Sequence, residues 1–501
     1  MPGNRFYVTT AIPYVNAPPH VGHALESVQT DVLARHARLR GREVRFLTGT
    51  DDNALKNVQS AEAIGMDVAE FVRINAQRFA DLHDGLNLSN DDFIRTAADP
   101  RHRPGCERLW RACVDAGDVY KKNYEGLYCV GCEQFYLESE LENGKCPEHQ
   151  TVPVRVSEEN YFFALSKYQD RLHDLISRDV VRVQPVSRKN EMLRFIERGL
   201  DDFSISRSAE RAHGWGIPVP GDESQIMYVW FDALGNYISA LGYGGADESL
   251  YRRFWVENEN RVHVIGKGIL RFHAIYWPAL LLSAKQPLPQ RILVHDYLTV
   301  EGQKISKSLG NTADPFEIAA RFGRDALRWW LLRDVPQAGD ADFSVARLIQ
   351  RANEDLANDL GNLLHRTTAM LVRYRGGVVP AGSWDPDASK MEREIATVAA
   401  RVDERIEDFD FRGALDAVWS LVSEANKFIE RRKPWELYKA EQAGTASPAA
   451  LDALFHSLFE TLKVVAHELA PFIPGAAEEM RVRLARTAKS GEKPLFQRIE
   501  S

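Results

Sequence analysis

AIPYVNAPPHVGHAL, residues 11–25, joins a β-rich run to a helical one and places His20 and His23 around Gly22. Upstream, RFYVTTAIP reads as a short strand. Downstream, Leu25, Val28, Val32 and Leu39 recur at spacings of three, four and seven, which is one face of a helix. EVRFLTGTDD follows as a second strand that ends in acids. Strand, helix, strand is a βαβ unit and implies a parallel sheet. The first turn of a helix has unpaired N–H groups and about half a unit of positive charge, so it attracts phosphate. Gly22 leaves room for a ligand to approach the backbone, and both histidines can donate a ring N–H to a phosphate oxygen. The same pair also fits two packed residues at a turn, and the motif alone does not separate these readings.

A chain of 501 residues is too long for one core, so two to four domains are expected. Its 44% hydrophobic and 27% charged content is that of a soluble globular protein. No charge-free apolar run approaches the roughly eighteen residues of a membrane span, and MPGNRFYVTT lacks the features of a signal peptide. Five cysteines, three of them in one cluster, point to a reducing cytoplasm rather than a disulfide framework. The net charge of −8 argues against a protein that coats nucleic acid nonspecifically, but allows one RNA to be gripped by a local basic surface.

From residue 115 to 225 the pattern is irregular. Strand–helix alternation returns with RVHVIGKG, ILRFHAIYWPALLLSA and QRILVHDYLTV, so an α/β domain is split by an insertion. After about residue 345, Ile349, Ala352, Leu356, Leu360, Leu363 and Met370 continue a helical stripe, as does FHSLFETLKVVAHELAPFI. The fold expected is multidomain: a Rossmann-type parallel sheet (1–114 and 226–290), an insertion (115–225), a connecting region (291–345) and an all-helical bundle (346–501).

Within the insertion, Cys129-x2-Cys132-x13-Cys146-x2-His149 has the paired spacing of a structural zinc site. Four protein ligands leave no open position, so the metal's expected role is folding. Reduced thiols on a loop are the alternative. Cys106 and Cys113 lie in a helix-like run and read as core residues. EGQKISKSLGN, residues 301–311, sets Lys304 and Lys307 among small and polar residues. It suits a solvated basic loop, or a mobile one that closes over a triphosphate.

Taken together, HxGH near the start and KxSKS after the last strand of a split sheet resemble the paired signatures of class I aminoacyl-tRNA synthetases. FLTGTDD, EENYFF (158–163), DFSISR (202–207), YVWFDALGNYISA (228–240), IGKGILRFHAIYWPA (265–279) and NKFIERRKPW (426–435), with the first stretch and the cysteine cluster, resemble the methionyl-tRNA synthetase family across essentially the whole chain. Sister enzymes for isoleucine, valine and leucine carry a large editing domain, and the span from His23 to Lys304 leaves no room for one. Rival readings are another class I synthetase, a small-metabolite adenylyltransferase and a non-catalytic tRNA-binding paralogue.

The resemblance implies activation of L-methionine by ATP to methionyl-adenylate, then transfer to the 3′ end of tRNA(Met), initiator and elongator. It puts His20, Gly22, His23, Lys304, Ser306 and Lys307 on ATP, with magnesium accompanying the nucleotide. Methionine falls in a pocket of Ile12, Tyr14, Trp230, Ala233, Leu234, Tyr237, Ile269 and His273. A thioether packs well on such rings, and the Tyr14 hydroxyl and a His273 nitrogen are expected to orient it. Asp51 is the acid that holds the ammonium. In the family's terms 291–345 holds the KISKS loop and tRNA stem contacts, and 346–501 reads the anticodon through Asn362, Arg366 and Trp435, aided by the charges of Arg431, Arg432 and Lys433. One zinc, no membrane, a monomer and a cytoplasmic location complete the expectation. The chain departs from the commoner pattern at Asp52–Asn53–Ala54, where many members have Glu–His–Gly, at Gly268, and at Asp296.

Overall fold

Short runs rich in valine, isoleucine and leucine build one six-stranded parallel sheet. Its strands are β1 (Arg5–Thr9), β2 (Glu43–Thr50), β3 (Asp92–Arg95), β4 (Arg182–Gln184), β5 (Arg261–Gly266) and β6 (Arg291–His295), in the order β3-β2-β1-β5-β6-β4. Every neighbouring pair is parallel. Tyr7, Val8, Val262, Val264, Ile265 and Ile292 are fully buried, as expected of central strands covered on both faces. The computed structural model describes residues 2–130, 134–148, 150–300, 302–304, 313–489 and 491–500. β4 lies inside the span 115–225. That stretch therefore returns to the main sheet, through a strand of only three residues that no run of alternation announces.

The chain divides into two compact units. One comprises Met1–Pro19, Arg40–His83 and Ser89–His295; the other comprises His20–Leu39, Asp84–Leu88 and Asp296–Ser501. The first unit adds a four-stranded antiparallel sheet, led by Val119–Cys129 and Val154–Phe163, and a three-stranded one built on Asp222–Met227. Its core gathers Trp255, Trp277, Phe231 and Tyr237, all essentially without exposure.

In the second unit no strand follows Ala341–Phe343 among the described residues, so the all-helical expectation for the C-terminal part holds. Starts are marked chemically. Asp314 caps the helix Pro315–Phe322 by accepting the Phe316 and Glu317 N–H groups, and Ser447 accepts the Ala449 N–H before Pro448–Leu469. Two stretches that read as α-helix contain π-helical turns instead, Phe272–Tyr276 and Ala352–Gly361. A π-turn holds one more residue per turn. The four-residue steps from Ala352 to Leu356 to Leu360 satisfy it as well as an α-helix. No described helix is long and apolar enough to cross a membrane.

The helix Val21–Leu39 carries a charge into the interior of the second unit. Arg328, on the helix Arg324–Arg333, pairs with Asp31 at 2.8 Å, and neither side chain has any exposure. Arg328 Nε donates to Phe472 O, Nη2 to Pro471 O and Nη1 to Leu86 O. Backbone from two separate segments, around Leu86 and at Pro471 and Phe472, thus converges on one guanidinium. Burial pushes its pKa down from the ordinary value, and Asp31 counters that shift. Replacing Arg328 by leucine leaves Asp31 with Arg35 alone, at 2.8 Å, and strips the buried carbonyls of Leu86, Pro471 and Phe472 of their donor. We expect a loss of about 3–5 kcal/mol in the denaturant-unfolding transition of this unit. Arg328→Lys should also destabilise, because one ammonium does not span the same acceptors.

Candidate functional site

At the entry to the helix Val21–Leu39 the two imidazoles lie side by side, ring centroids 3.9 Å apart. The His20 backbone N–H donates to His23 Nδ1, and the Gly22 N–H donates to His20 Nδ1, both at 3.1 Å. The Val21 N–H donates to Ala313 O. The first amides of the helix are therefore satisfied by the protein itself, unlike the open amides expected from the sequence. With both Nδ1 atoms accepting, each ring carries its proton on Nε2. Burial pulls the His20 pKa down to about 4, so its ring is neutral at physiological pH. Gly22 has a cause that the sequence reading did not supply. A Cβ there would lie 2.9 Å from His20 Cε1, so the glycine makes room for the imidazole.

The backbone of Gln303–Lys304 forms a short antiparallel strand with Leu298–Val300. Ser306 and Lys307, and the side chain of Lys304, lie outside the described residues.

The expected methionine residues lie in the first unit. Asp51 follows β2 with 1% exposure. Its N–H donates to Pro13 O, and it forms an isolated bridge with Tyr14. Trp230, Ala233, Leu234 and Tyr237 ride on the helix Val229–Ser239. Trp230 stacks on Phe272 at 3.8 Å and 5°, sits edge-on to His273, and lies 6.3 Å from Tyr14. Ile12 and Ile269 pack on the same apolar core. The indole N–H of Trp230 is buried and finds no acceptor among the described residues, so it is available to a ligand. Phe272 was not singled out from the sequence, although its place beside His273 in RFHAIYW was the available signal.

The Tyr237 hydroxyl donates to His273 Nε2 at 2.7 Å, and His273 Nδ1–H donates to Ile269 O at 2.9 Å. Burial lowers the His273 pKa to about 4. Its ring is neutral, and both nitrogens are committed. A His273 nitrogen can orient a thioether only if Tyr237 gives it up. Of the departures, Asp52 is fully buried, taking Thr50 Oγ1–H at 2.7 Å and Arg95 Nε–H at 3.0 Å. Asp296 accepts the Gly339 N–H.

Cys129 ends the strand Val119–Cys129, which pairs antiparallel with Gln134–Tyr136, and the Gln150 N–H donates to Cys146 O. Both thiols are buried in one small cluster with Tyr136, and Thr151 touches both halves through its hydroxyl and its carbonyl. Two buried thiols gathered in one cluster suit a tetrahedral ion; Cys132 and His149 lie outside the described residues. A second group, His102, Cys106 and Asp232, is fully buried, but His102 Nε2 and Asp232 Oδ1 are 2.5 Å apart. Two ligands of one tetrahedral ion stand roughly 3.3 Å apart at these bond lengths, so that pair is a hydrogen bond. Cys106 and Cys113 are core residues of His102–Asp115, as expected.

In the helical unit Asn362 is exposed and Arg366, on the same face of Asn362–Arg375, pairs with Glu430 at 2.6 Å. Trp435 is half-buried at the start of Pro434–Gln442. The neighbouring cations are all paired. Arg432 is held by Asp385 and Asp387, Arg431 by Glu424, and Lys433 by Glu436. The local positive charge expected there is largely cancelled inside the protein.

Residues 6–155 and 137–368 match the model of class I (M) tRNA synthetases, and 378–497 match the anticodon-binding domain of methionyl tRNA ligase. The chain is 42% identical to the methionine–tRNA ligase of Brucella suis over 485 residues, 96% of this chain and 92% of the relative. It is also 42% identical to that of Thermotoga maritima, over 99% of this chain and 77% of the relative. The structure of Mycobacterium tuberculosis methionyl-tRNA synthetase in complex with methionyl-adenylate superposes with a TM-score of 0.92 at 38% identity, covering 98% of this chain and 99% of that one. A second structure of the same enzyme, in its apo form, gives 0.87 at 35% identity, covering 100% of this chain and 99% of that one. With its parallel sheet, its helical C-terminal unit and the full set of motifs, the chain belongs to the methionine–tRNA ligases, a family of class I aminoacyl-tRNA synthetases.

Proposed function

We propose that this methionine–tRNA ligase assembles methionyl-adenylate with the residues its sequence singled out. The observation that carries the reading is a cluster: a buried carboxylate, Asp51, bridged to Tyr14, whose ring lies 6.3 Å from Trp230, itself stacked on Phe272 and edge-on to His273. That combination suits a ligand with an ammonium at one end and an apolar, polarisable thioether at the other. Asp51 takes the ammonium. Trp230, Tyr14, Ile12, Ala233, Leu234, Tyr237, Ile269 and His273 enclose the side chain. His20 and His23 donate their Nε2 protons to ATP phosphates, Gly22 keeps the His20 ring in place, and Ser306 joins Lys304 and Lys307 on the nucleotide. Magnesium accompanies ATP.

A carboxylate oxygen of methionine attacks the α-phosphorus, and pyrophosphate leaves with its charge met by Lys304 and Lys307. The 3′-terminal ribose hydroxyl of tRNA then attacks the adenylate carbonyl, and AMP departs. No side chain need be a nucleophile. Alignment and charge stabilisation do the work. Asn362 and Arg366 bond anticodon bases and Trp435 stacks on one. Cys129, Cys132, Cys146 and His149 hold one structural zinc. Spans 1–114 and 226–290 form the catalytic domain, 115–225 the zinc-bearing insertion, 291–345 the loop and stem-contact region, and 346–501 the anticodon domain. The enzyme works as a cytoplasmic monomer.

ATP–pyrophosphate exchange against a panel of amino acids should proceed with methionine alone. Lys307→Ala should cut exchange by at least about a hundredfold, in the range of one lost transition-state donor, while calorimetry finds methionine affinity within about threefold. Equal losses in both would remove Lys307 from the chemistry.

Trp435→Ala should leave exchange intact and raise the KM for tRNA in charging by about tenfold or more, the worth of one stacked base. Failure of exchange would make Trp435 structural.

Elemental analysis should find about one zinc per chain in the purified protein, and substantially less in Cys146→Ser, together with earlier proteolysis within 115–225. Full zinc content in that variant would remove the cluster as its site.

A further inference from the structure

Helix Val229–Ser239 is apolar along nearly all its length, yet it buries a carboxylate in its first turn. Asp232 is 1% exposed. Its Oδ2 accepts Asn53 Nδ2–H at 2.7 Å, and its Oδ1 takes His102 Nε2–H at 2.5 Å. His102, with no exposure, is fixed at its other nitrogen by Ser239 Oγ at 2.9 Å, on the last turn of the same helix. A buried carboxylate costs stability unless each oxygen is satisfied, and here both are, by residues from two different segments. Asn53 also acts on the other side. Its backbone N–H donates to Asp51 Oδ1 at 3.2 Å. The peptides around it are pinned in turn, since Asn57 Nδ2 donates to both Asp51 O and Asp52 O and Trp215 Nε1 donates to Asp52 O.

We propose that Asn53, Asp232 and His102 form a positioning relay for methionine, one that sets the distance between the ammonium acceptor Asp51 and the helix carrying Trp230, Leu234 and Tyr237. This rests on the reading of Asp51 and that helix as the methionine site. None of the three touches the reacting atoms. Asn53 supplies the join from its two ends: the backbone fixes the carboxylate that reads the ammonium, and the side chain fixes the wall that reads the thioether. Asn53 is also one of the positions at which the chain departs from the common sequence pattern. A side-chain amide at residue 53 offers Asp232 a short, uncharged donor and keeps its carbonyl end as an acceptor.

The test exploits the polarity of the contact. Asn53→Asp sets carboxylate against carboxylate and should lower kcat/KM for methionine in pyrophosphate exchange at least about tenfold, the effect of losing a hydrogen bond to a charged group, with the KM for ATP within about twofold. Combining Asn53→Asp with Asp232→Asn reverses donor and acceptor while His102 still meets an oxygen, and should recover activity to within about threefold of the parent. Asn53→Ala, which only removes the donor, serves if Asn53→Asp does not fold, and should show the same methionine-selective loss. Asp51→Asn is measured alongside. If it weakens methionine binding and the Asn53 variants do not, the relay is overturned and the pocket stands. If it has no effect on methionine, the pocket reading itself falls. A double exchange no better than the single one overturns the relay as well.

Discussion

A guanidinium with no exposure must be surrounded by acceptors, and Arg328 is surrounded by one carboxylate and four carbonyls drawn from distant parts of the chain. Much else in the helical unit depends on that knot. Asp31 sits in the middle of the helix that begins with the two histidines, so the knot fastens that helix to the segments around Leu86 and Pro471. His36, further along, adds a bond to Asp403 at 2.8 Å on the helix Ser389–Glu407. The helix that presents Nε2 protons at one end is thereby anchored to anticodon-domain helices. A buried ion pair is weak evidence of net stability, but it specifies register well, because no neighbouring residue offers the same convergence.

The imidazole turn illustrates a related economy of charge. An open helix end would bind phosphate through amides, as many nucleotide sites do. Here the amides of His20 and Gly22 are spent on the imidazoles, which hold both rings with Nδ1 as the acceptor. The burial that lowers the His20 pKa also keeps a cation out of a partly desolvated site. On the proposed reading, a neutral donor bonds a phosphate oxygen without holding it as an ion pair would, which suits a group that must pass from triphosphate to adenylate and pyrophosphate.

Much of this was legible in the sequence because the informative features are local. The βαβ order follows from apolar spacing, and the helical character of the C-terminal part from the stripe that runs from Ile349 to Met370. What escaped was non-local or degenerate. β4 is three residues long and is recognised only by its partner β6. The π-turns at Phe272–Tyr276 and Ala352–Gly361 obey the same spacing as α-helix. The partner of Asp232 lies 179 residues away, so an acid in an apolar helix signalled that something was paired there but not with what. Gly22 was read as space for a ligand, and its neighbour proved to be His20, two residues away.

The pairing of Arg431, Arg432 and Lys433 bears on how a protein of net charge −8 can select one RNA. Cations free to meet any phosphate raise affinity for every nucleic acid alike, with a strong salt dependence. Held by Glu424, Asp385, Asp387 and Glu436, these three contribute little to that nonspecific term, and Arg366 is likewise held by Glu430. An arginine braced by a carboxylate keeps a fixed direction for its remaining N–H groups, and fixed donors read base edges better than a mobile charge. Asn362, on the same helical face, has no charge at all. On the proposed reading, recognition built from a braced fork, an amide and an indole face depends on unpaired bases being splayed out, so the same surface would give a double-stranded stem little to hold.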